Sequence, residues 1–351
     1  MGKKKQYYNI KPLLKTAAPY MILLGMRANG KSYAAKETVL TDAYQHKTNF
    51  VYLRRWREDI KQAAVESYFA DAPIEKITKG EYSYVCAWQG FLYFANVGED
   101  GKVQRGQRIG RYCALNEALR YKSQAFVNYS FIIYEEFITD EVYLSDEPTK
   151  LQQFISTVAR LDTLTVLMIG NTMSRVCPYF SEWCLEGTLR QKPGTIEIYH
   201  MHYGNFSVDI AVENCEVLQR DSKMFFGNAA KQIISGEWDV KDAPRLPDKL
   251  AAYDEVYRMD IKFNMFNFHM ALLTDGSGEL LVYIFPAKTN KKGVRMLTDT
   301  PIFKPEVSRH FRKDSRAEVK IIECWRQGKV CFSDNLTAAD FFNLNRQYKI
   351  F

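Results

Sequence analysis

Gly25-Met26-Arg27-Ala28-Asn29-Gly30-Lys31-Ser32 is the stretch that decides how this chain is read. It satisfies G-x-x-x-x-G-K-[S/T] throughout, and its flanks give the match its weight. Ahead of it, Tyr20-Met-Ile-Leu-Leu24 is a short apolar run bounded by Pro19 and Gly25, which predicts a buried strand. Behind it, Lys31 to Tyr44 places Ala34, Ala35, Val39 and Leu40 at helical spacing. A strand, a glycine-bearing loop and a helix in this order turn backbone N–H groups around a β-phosphate, with the helix N-terminus adding positive potential. Gly25 and Gly30 permit the turn, Lys31 reaches the β and γ oxygens, and Ser32 holds Mg²⁺.

Outward from the loop the pattern is alternating. Phe50-Val-Tyr-Leu53 reads as a second strand ending in Arg54-Arg55-Trp56-Arg57, and a helix follows through Phe69. Strand, helix, strand predicts a parallel α/β sheet. Tyr82 to Ala87 and Phe91 to Val97 flank Gln89-Gly90 as a hairpin, and a polar connection follows. Then come the strand Phe131 to Tyr134, a helix over Leu151 to Leu161 and a strand over Thr165 to Ile169 that ends at Gly170-Asn171.

The strand 131–134 runs straight into Glu135-Glu136, at the sheet edge where an open parallel sheet keeps its ligands. Two adjacent acids divide the work, Glu135 toward Mg²⁺ and Glu136 polarising the attacking water. Asn171 reaches the same edge and is a candidate γ-phosphate sensor. Arg160, at the end of the preceding helix, is placed to stabilise the transferring phosphoryl group of a neighbouring subunit.

Length and composition set the frame. A chain of 351 residues, 46% hydrophobic and 14% aromatic, holds about two domains. The expected division is a nucleotide domain over 1–202, a linker region over 203–250, polar to acidic with Gly227, Gly236, Pro244 and Pro247, and a second domain over 251–351. That second domain opens with Ile261 to Leu273 and Glu279 to Phe285 around Asp275-Gly-Ser-Gly278, a hairpin signal, and closes with a short strand at 329–332 and a helix from near Asn335. The apolar run at 17–24 contains a proline and is far shorter than the ~20 residues of a membrane span. Seven scattered cysteines with no C-x-x-C pair argue against a disulfide framework or a zinc site. We therefore expect an intracellular protein with no membrane partner. Residues 288–329 hold 12 basic against 5 acidic side chains, a footprint suited to a phosphate backbone. No N-K-x-D motif is present for guanine recognition.

Taken together, these segments resemble the genome-packaging motor ATPases of phi29-like bacteriophages, relatives of large terminases and of the FtsK/HerA branch of additional-strand (ASCE) P-loop ATPases. The resemblance rests on the loop 25–32 with Arg27 in it, on Phe50-Val-Tyr-Leu-Arg-Arg-Trp56, on Tyr134-Glu-Glu-Phe137 where the family has aspartate-glutamate-phenylalanine, on Thr157-Val-Ala-Arg160, and on Asn171 followed by Cys177-Pro-Tyr-Phe180. It implies a nucleotide contact for Arg27, a trans-acting arginine finger at Arg160, and a lysine, Lys122, that also acts across the subunit interface. It implies an RNase H-like α/β C-terminal domain that binds DNA without cutting, with Asp260, Asp275, Glu279, Glu323 and Asp340 as remnants of an acidic cluster. Arg57, Lys291, Lys292, Arg309 and Arg312 are the candidate DNA contacts. The implied activity is hydrolysis of MgATP coupled to translocation of double-stranded DNA into a procapsid. The protein would form a homo-oligomeric, pentameric ring at the portal, with a packaging RNA in reference members. It would work in the host cytoplasm at the portal vertex and be absent from the mature virion. The alternatives kept open are a cellular helicase or DNA pump, a terminase-like ATPase with an active nuclease domain, and a nucleic-acid-binding module that does not hydrolyse ATP.

Overall fold

The apolar run at Tyr20–Leu24 forms β1, and Met21 through Leu24 are buried along its whole length, as a strand covered on both faces requires. The computed structural model describes residues 8–160, 163–216, 240–288, 293–300 and 304–351. In the first part of the chain β1 is joined by β2 (Asn49–Arg54), β3 (Tyr84–Trp88), β4 (Phe91–Val97), β5 (Val103–Ala114), β6 (Tyr129–Glu135), β7 (Thr165–Ile169), β8 (Thr195–Tyr203) and β9 (Phe206–Asn214). Their order in one sheet is β3-β4-β5-β2-β6-β7-β1-β9-β8. The six strands from β5 to β9 in that order are mutually parallel, and an antiparallel neighbour is added at each side.

Two features of this order matter for chemistry. The loop strand β1 and the acid strand β6 are separated by one inserted strand, β7. Parallel registration then brings the C-terminal ends of β1, β7 and β6 to one edge, with Leu23 opposite Ile169 and Ile169 opposite Glu135. The helix Lys31–His46 packs Ala34, Ala35, Val39, Leu40 and Ala43 into the same core as Met21, Leu23, Phe50 and Ile133.

The sequence reading differs from the fold in three places. The polar connection after residue 97 contains the twelve-residue strand β5, whose Gly, Arg and Gln content hides its alternation. Gly110 is obligatory there, since a Cβ would lie 2.0 Å from the Phe50 carbonyl oxygen. The expected boundary at 202 falls inside the hairpin β8–β9, and β9 pairs with β1 in parallel, so the first unit runs past that point. Much of the expected linker, 217–239, lies outside the described residues. Finally, the apolar stretch from 261 is two strands, because Asn264, at φ 57°, turns the chain.

The second compact unit comprises 140–143, 173–181 and the chain beyond 238. It contains β10 (Asp254–Phe263), β11 (Phe266–Thr274), β12 (Leu280–Pro286), β13 (Met296–Thr298), β14 (Val307–Ser308) and β15 (Val330–Phe332), ordered β14-β13-β10-β11-β12-β15. β10, β11 and β12 are antiparallel, while β13 runs parallel to β10 and β14 parallel to β13. One face of this sheet is wholly apolar, with Met259, Ile261, Phe268, Met270, Val282 and Ile284 buried beside Ile321 and Phe341 of the helices Arg316–Arg326 and Asn335–Tyr348. Ser315 and Asp334 cap those helices through the N–H groups of Glu318 and Thr337.

Candidate nucleotide site

The loop after β1 is wound by three positive-φ residues in eight: Gly25 at 146°, Ala28 at 59° and Gly30 at 99°. At Gly25 a Cβ would press within 3.2 Å of the Cys215 Cβ. The loop encloses a cavity of about 680 Å³ whose lining includes Arg27, Gly30, Lys31, Ser32, Glu136 and Asn171. Seven of the residues proposed from sequence therefore gather at one sheet edge, counting Gly25 at the root of the loop.

Lys31 is 4% exposed, and its ammonium lies along the loop. Its Nζ donates to the Met26 carbonyl at 2.7 Å, to the Gly25 carbonyl at 3.1 Å and to Asn171 Oδ1 at 3.3 Å. Burial pulls its pKa down to about 8, a pull that Cys215 and Glu135 partly oppose.

The two glutamates sit in different surroundings. Glu135 is buried, hydrogen-bonded to the Ser32 hydroxyl and accepting from Tyr68 Oη at 2.6 Å, and burial raises its pKa. A buried carboxylate beside the loop serine is a donor set that fits Mg²⁺, with Ser32 as ligand and Glu135 behind it. Glu136 turns the other way. Its φ of 56° swings it to the cavity, where Arg54 Nη2 donates to its carboxylate at 2.6 Å.

Several residues with a clear place in the site were not proposed from sequence. Arg54 is one. Arg55 is another: at 5% exposure it bonds Glu147 through Nε at 2.8 Å and the carbonyls of Phe137 and Glu136 at 2.6 and 3.2 Å. The pair of arginines closing β2 thus splits into one that restrains the Glu136 carboxylate and one that fixes its backbone. Lys36, one turn beyond Lys31, donates to the Tyr68 carbonyl at 2.7 Å and pairs with Asp71 on the cavity wall. The run Arg54-Arg55 was visible as a motif, but nothing in it separates the two roles.

Lys122 and Arg160 lie apart from this cavity and together with each other. Arg160 caps the helix Glu147–Ala159 at φ 51° and donates through Nη2 to the Gln124 carbonyl at 3.5 Å, two residues from Lys122. Lys122 shares a surface hollow with Gln153, Ser156 and Thr157 of that helix.

The candidate DNA contacts fare unevenly. Arg57 is ion-paired with Glu117 at 2.9 Å. Lys291 and Lys292 lie outside the described residues. Arg309 is exposed, and Arg312, also exposed, donates its N–H to Glu318 at 2.7 Å and its guanidinium to the Pro305 carbonyl. Arg295, counted in the basic segment, is internal: it joins β13 to Glu318, which is 0% exposed. The five acids of the C-terminal unit are dispersed. Asp260 bonds His269, Glu279 pairs with Lys329, Glu323 with Lys320 and Asp340 with Arg175, while Asp275 closes the β11–β12 turn. Among the described residues no three such side chains gather as a metal site.

A loop of this winding, with an inserted strand between it and the acids, defines a P-loop nucleotide-binding domain of the additional-strand class. The chain belongs to the family of podovirus DNA encapsidation proteins (Gp16), whose sequence model matches residues 1–199. It is 27% identical over 186 residues to the DNA packaging protein of Bacillus phage phi29, covering 50% of each chain. To that of Bacillus phage B103 it is 26% identical over 162 residues, 45% of this chain and 46% of the other. The matched segment thus spans about half the length of these relatives. In fold it is similar to a chain of the bacteriophage Phi-29 viral genome packaging motor assembly, with a TM-score of 0.56 and 20% identity over 97% of this chain and 99% of that one.

Proposed function

We propose that this protein hydrolyses MgATP to drive double-stranded DNA into a viral procapsid, as one subunit of a homo-oligomeric, pentameric ring at the portal. ATP lies on the loop 25–32, with Lys31 and Arg27 on its phosphates and Asn171 facing the γ-phosphate. Ser32, with Glu135 behind it, would hold Mg²⁺, which would supply positive charge against the phosphates. Glu136 accepts the proton of the attacking water, and Arg160 and Lys122 complete the site of the adjacent subunit. The observation that carries this reading is the partition of the residues. The loop, Glu136 and Asn171 share one cavity, whereas Lys122 lines a separate surface hollow and Arg160 bonds the Gln124 carbonyl two residues from it, a placement that suits groups acting on another subunit's nucleotide.

The C-terminal unit supports an RNase H-like reading. Counting from β10, its six strands stand in the order sixth, third, second, first, fourth, fifth; the first three are antiparallel, the fourth and fifth continue parallel to the first, and the sixth adds a parallel edge beside the third. Its acids being paired off singly favours a unit that binds DNA over one that cuts it. Plasmid nicking in Mn²⁺ distinguishes the terminase-like alternative.

The test is steady-state ATP hydrolysis against protein concentration, with and without duplex DNA. Turnover per chain that rises with concentration and with duplex supports shared sites. Turnover that is constant and indifferent to DNA leaves a stand-alone P-loop enzyme, and stimulation by single strands alone favours a helicase.

A further inference from the structure

The antiparallel side of the first sheet carries a surface that the nucleotide site does not use. In β5 the arginines fall at 105, 108 and 111, a spacing of three that would scatter them over both faces of a regular strand. Two register shifts against β4 correct this: Phe91 pairs with Arg111, Tyr93 with Arg108 and Ala95 with Arg105. Positions 91, 93 and 95 share one face of β4, so all three arginines share it too. β3 extends the same face with Tyr84, Cys86 and Trp88, opposite Ala95, Tyr93 and Phe91. The reverse face, with Val85, Ala87, Leu92, Phe94 and Ile109, is buried in the core. The arginine face is open: Arg105, Arg108 and Trp88 are exposed, while Tyr84, Phe91, Tyr93 and Arg111 are half-buried.

Each guanidinium lies over a ring. Arg105 sits 4.2 Å from the Trp88 centroid, and Arg108 and Arg111 sit 5.3 and 4.7 Å from that of Phe91. Among the described residues none of the three is ion-paired with a carboxylate. Glu66, beside β3, spends its carboxylate on the Ala87 N–H at 3.0 Å and on Gln62, and Asp100, in the β4–β5 turn, pairs with Lys102. Stacking holds the planar cations at low entropic cost. Arg111 is further tied down by donating to Gln124 Oε1 and Arg105 bonds the Cys86 thiol, while the exposure of Arg105 and Arg108 leaves guanidinium N–H groups at the surface, the groups that grip phosphate oxygens. Because the guanidinium groups already cover the rings, the face is suited to a backbone and not to stacking of unpaired bases.

We propose that this β3–β4–β5 face is a second grip on the duplex, binding the phosphate backbone of double-stranded DNA through Arg105 and Arg108, with Arg111 behind them. The proposal rests on the translocase reading above. It adds to the ATPase domain a sequence-independent contact surface separate from the basic segment of the C-terminal unit.

The experiment measures binding of a fluorescein-labelled 30-base-pair duplex by the full chain across a KCl series. The parent is compared with the double variants Arg105→Gln/Arg108→Gln and Arg105→Lys/Arg108→Lys. Losing two phosphate contacts should flatten the slope of log K against log[salt] by about 1.8 and weaken binding at low salt. The lysine variant should keep most of the slope, and both should bind a fluorescent ATP analogue as the parent does. A glutamine variant with the parent's slope and affinity overturns the proposal while leaving the translocase reading intact. So does a change confined to self-association, which would make the face a contact between subunits. Equal weakening by glutamine and lysine, with melting lowered in both, overturns it in favour of a packing role. A parent that binds no duplex at any salt overturns both.

Discussion

Arg54, the last residue of β2, donates to the carboxylate of Glu136, the first residue beyond β6, at 2.6 Å. The group proposed to take a proton from water is thus already engaged by a cation from the neighbouring strand, and that cation also reaches Asp59 at 3.5 Å. A carboxylate oxygen held by a guanidinium is one fewer acceptor open to a water, so the contact has to loosen before that oxygen can take a proton. The structure therefore holds Glu136 in a restrained setting.

Releasing that restraint separates basal from coupled activity. Arg54→Ala should raise ATP turnover without DNA and reduce the extra turnover that duplex DNA brings. Glu136→Gln should lower turnover by about 10²- to 10⁴-fold while ATP still binds. Both are read from steady-state phosphate release beside a nucleotide-binding titration, and a silent Arg54→Ala would show that the contact has no part in the cycle.

Arg55 bears on stability as well as on the site. Its removal leaves Glu147, with 0% exposure, without its cation, although Tyr134 Oη and the Leu144 N–H still donate to it. Breaking one side of a buried pair costs about 3–5 kcal/mol. Arg55→Met should therefore lower the urea midpoint markedly, and the loss should shrink when Glu147→Gln is added.

The buried Lys31 gives a pH signature. Its pKa of about 8 lies below the ordinary lysine value of 10.5. Between those values the unfolded chain keeps a proton that the folded chain has shed, so stability without nucleotide rises with pH across that window. The same loss of charge weakens ATP binding as pH passes about 8. Urea titrations of parent and Lys31→Met at pH 7.5 and 10 check the first effect: the increment should appear in the parent and be absent from the variant.

Gly110 tests the strand that the sequence concealed. Placing a Cβ 2.0 Å from the Phe50 carbonyl forces β5 away from β2. Gly110→Ala should destabilise by about 3 kcal/mol or more, measured by urea unfolding.

What was legible in the sequence, and what was not, follows from where the information sits. β1, β6 and β7 are short apolar runs between turn signals, and their ends carry residues whose chemistry is distinctive, so Lys31, Glu136 and Asn171 stand out in the sequence alone. β5 was lost because the pairing of Arg105, Arg108 and Arg111 depends on two register shifts against β4, which no periodicity in β5 reports. β9 was lost because a polar-looking stretch becomes a strand only where β1 offers it an edge. Arg54 and Arg55 are adjacent and alike in sequence, and only the fold, with Arg54 closing β2 and Arg55 just beyond it, sends one to Glu136 and the other to Glu147. The basic segment was overcounted for a similar reason, since Arg295 spends its charge inside the fold on Glu318.

The central claim is that one subunit's Arg160 serves another subunit's nucleotide, and mixing two inactive variants tests it most directly. Arg160→Ala retains an intact loop and Glu136, whereas Glu136→Gln retains Arg160. Each alone should show little turnover with duplex DNA. A one-to-one mixture should recover a substantial fraction of parental hydrolysis, because each Arg160→Ala site can receive the arginine of a Glu136→Gln neighbour. A mixture no more active than its components, when both variants bind ATP and assemble with the parent, would contradict the account.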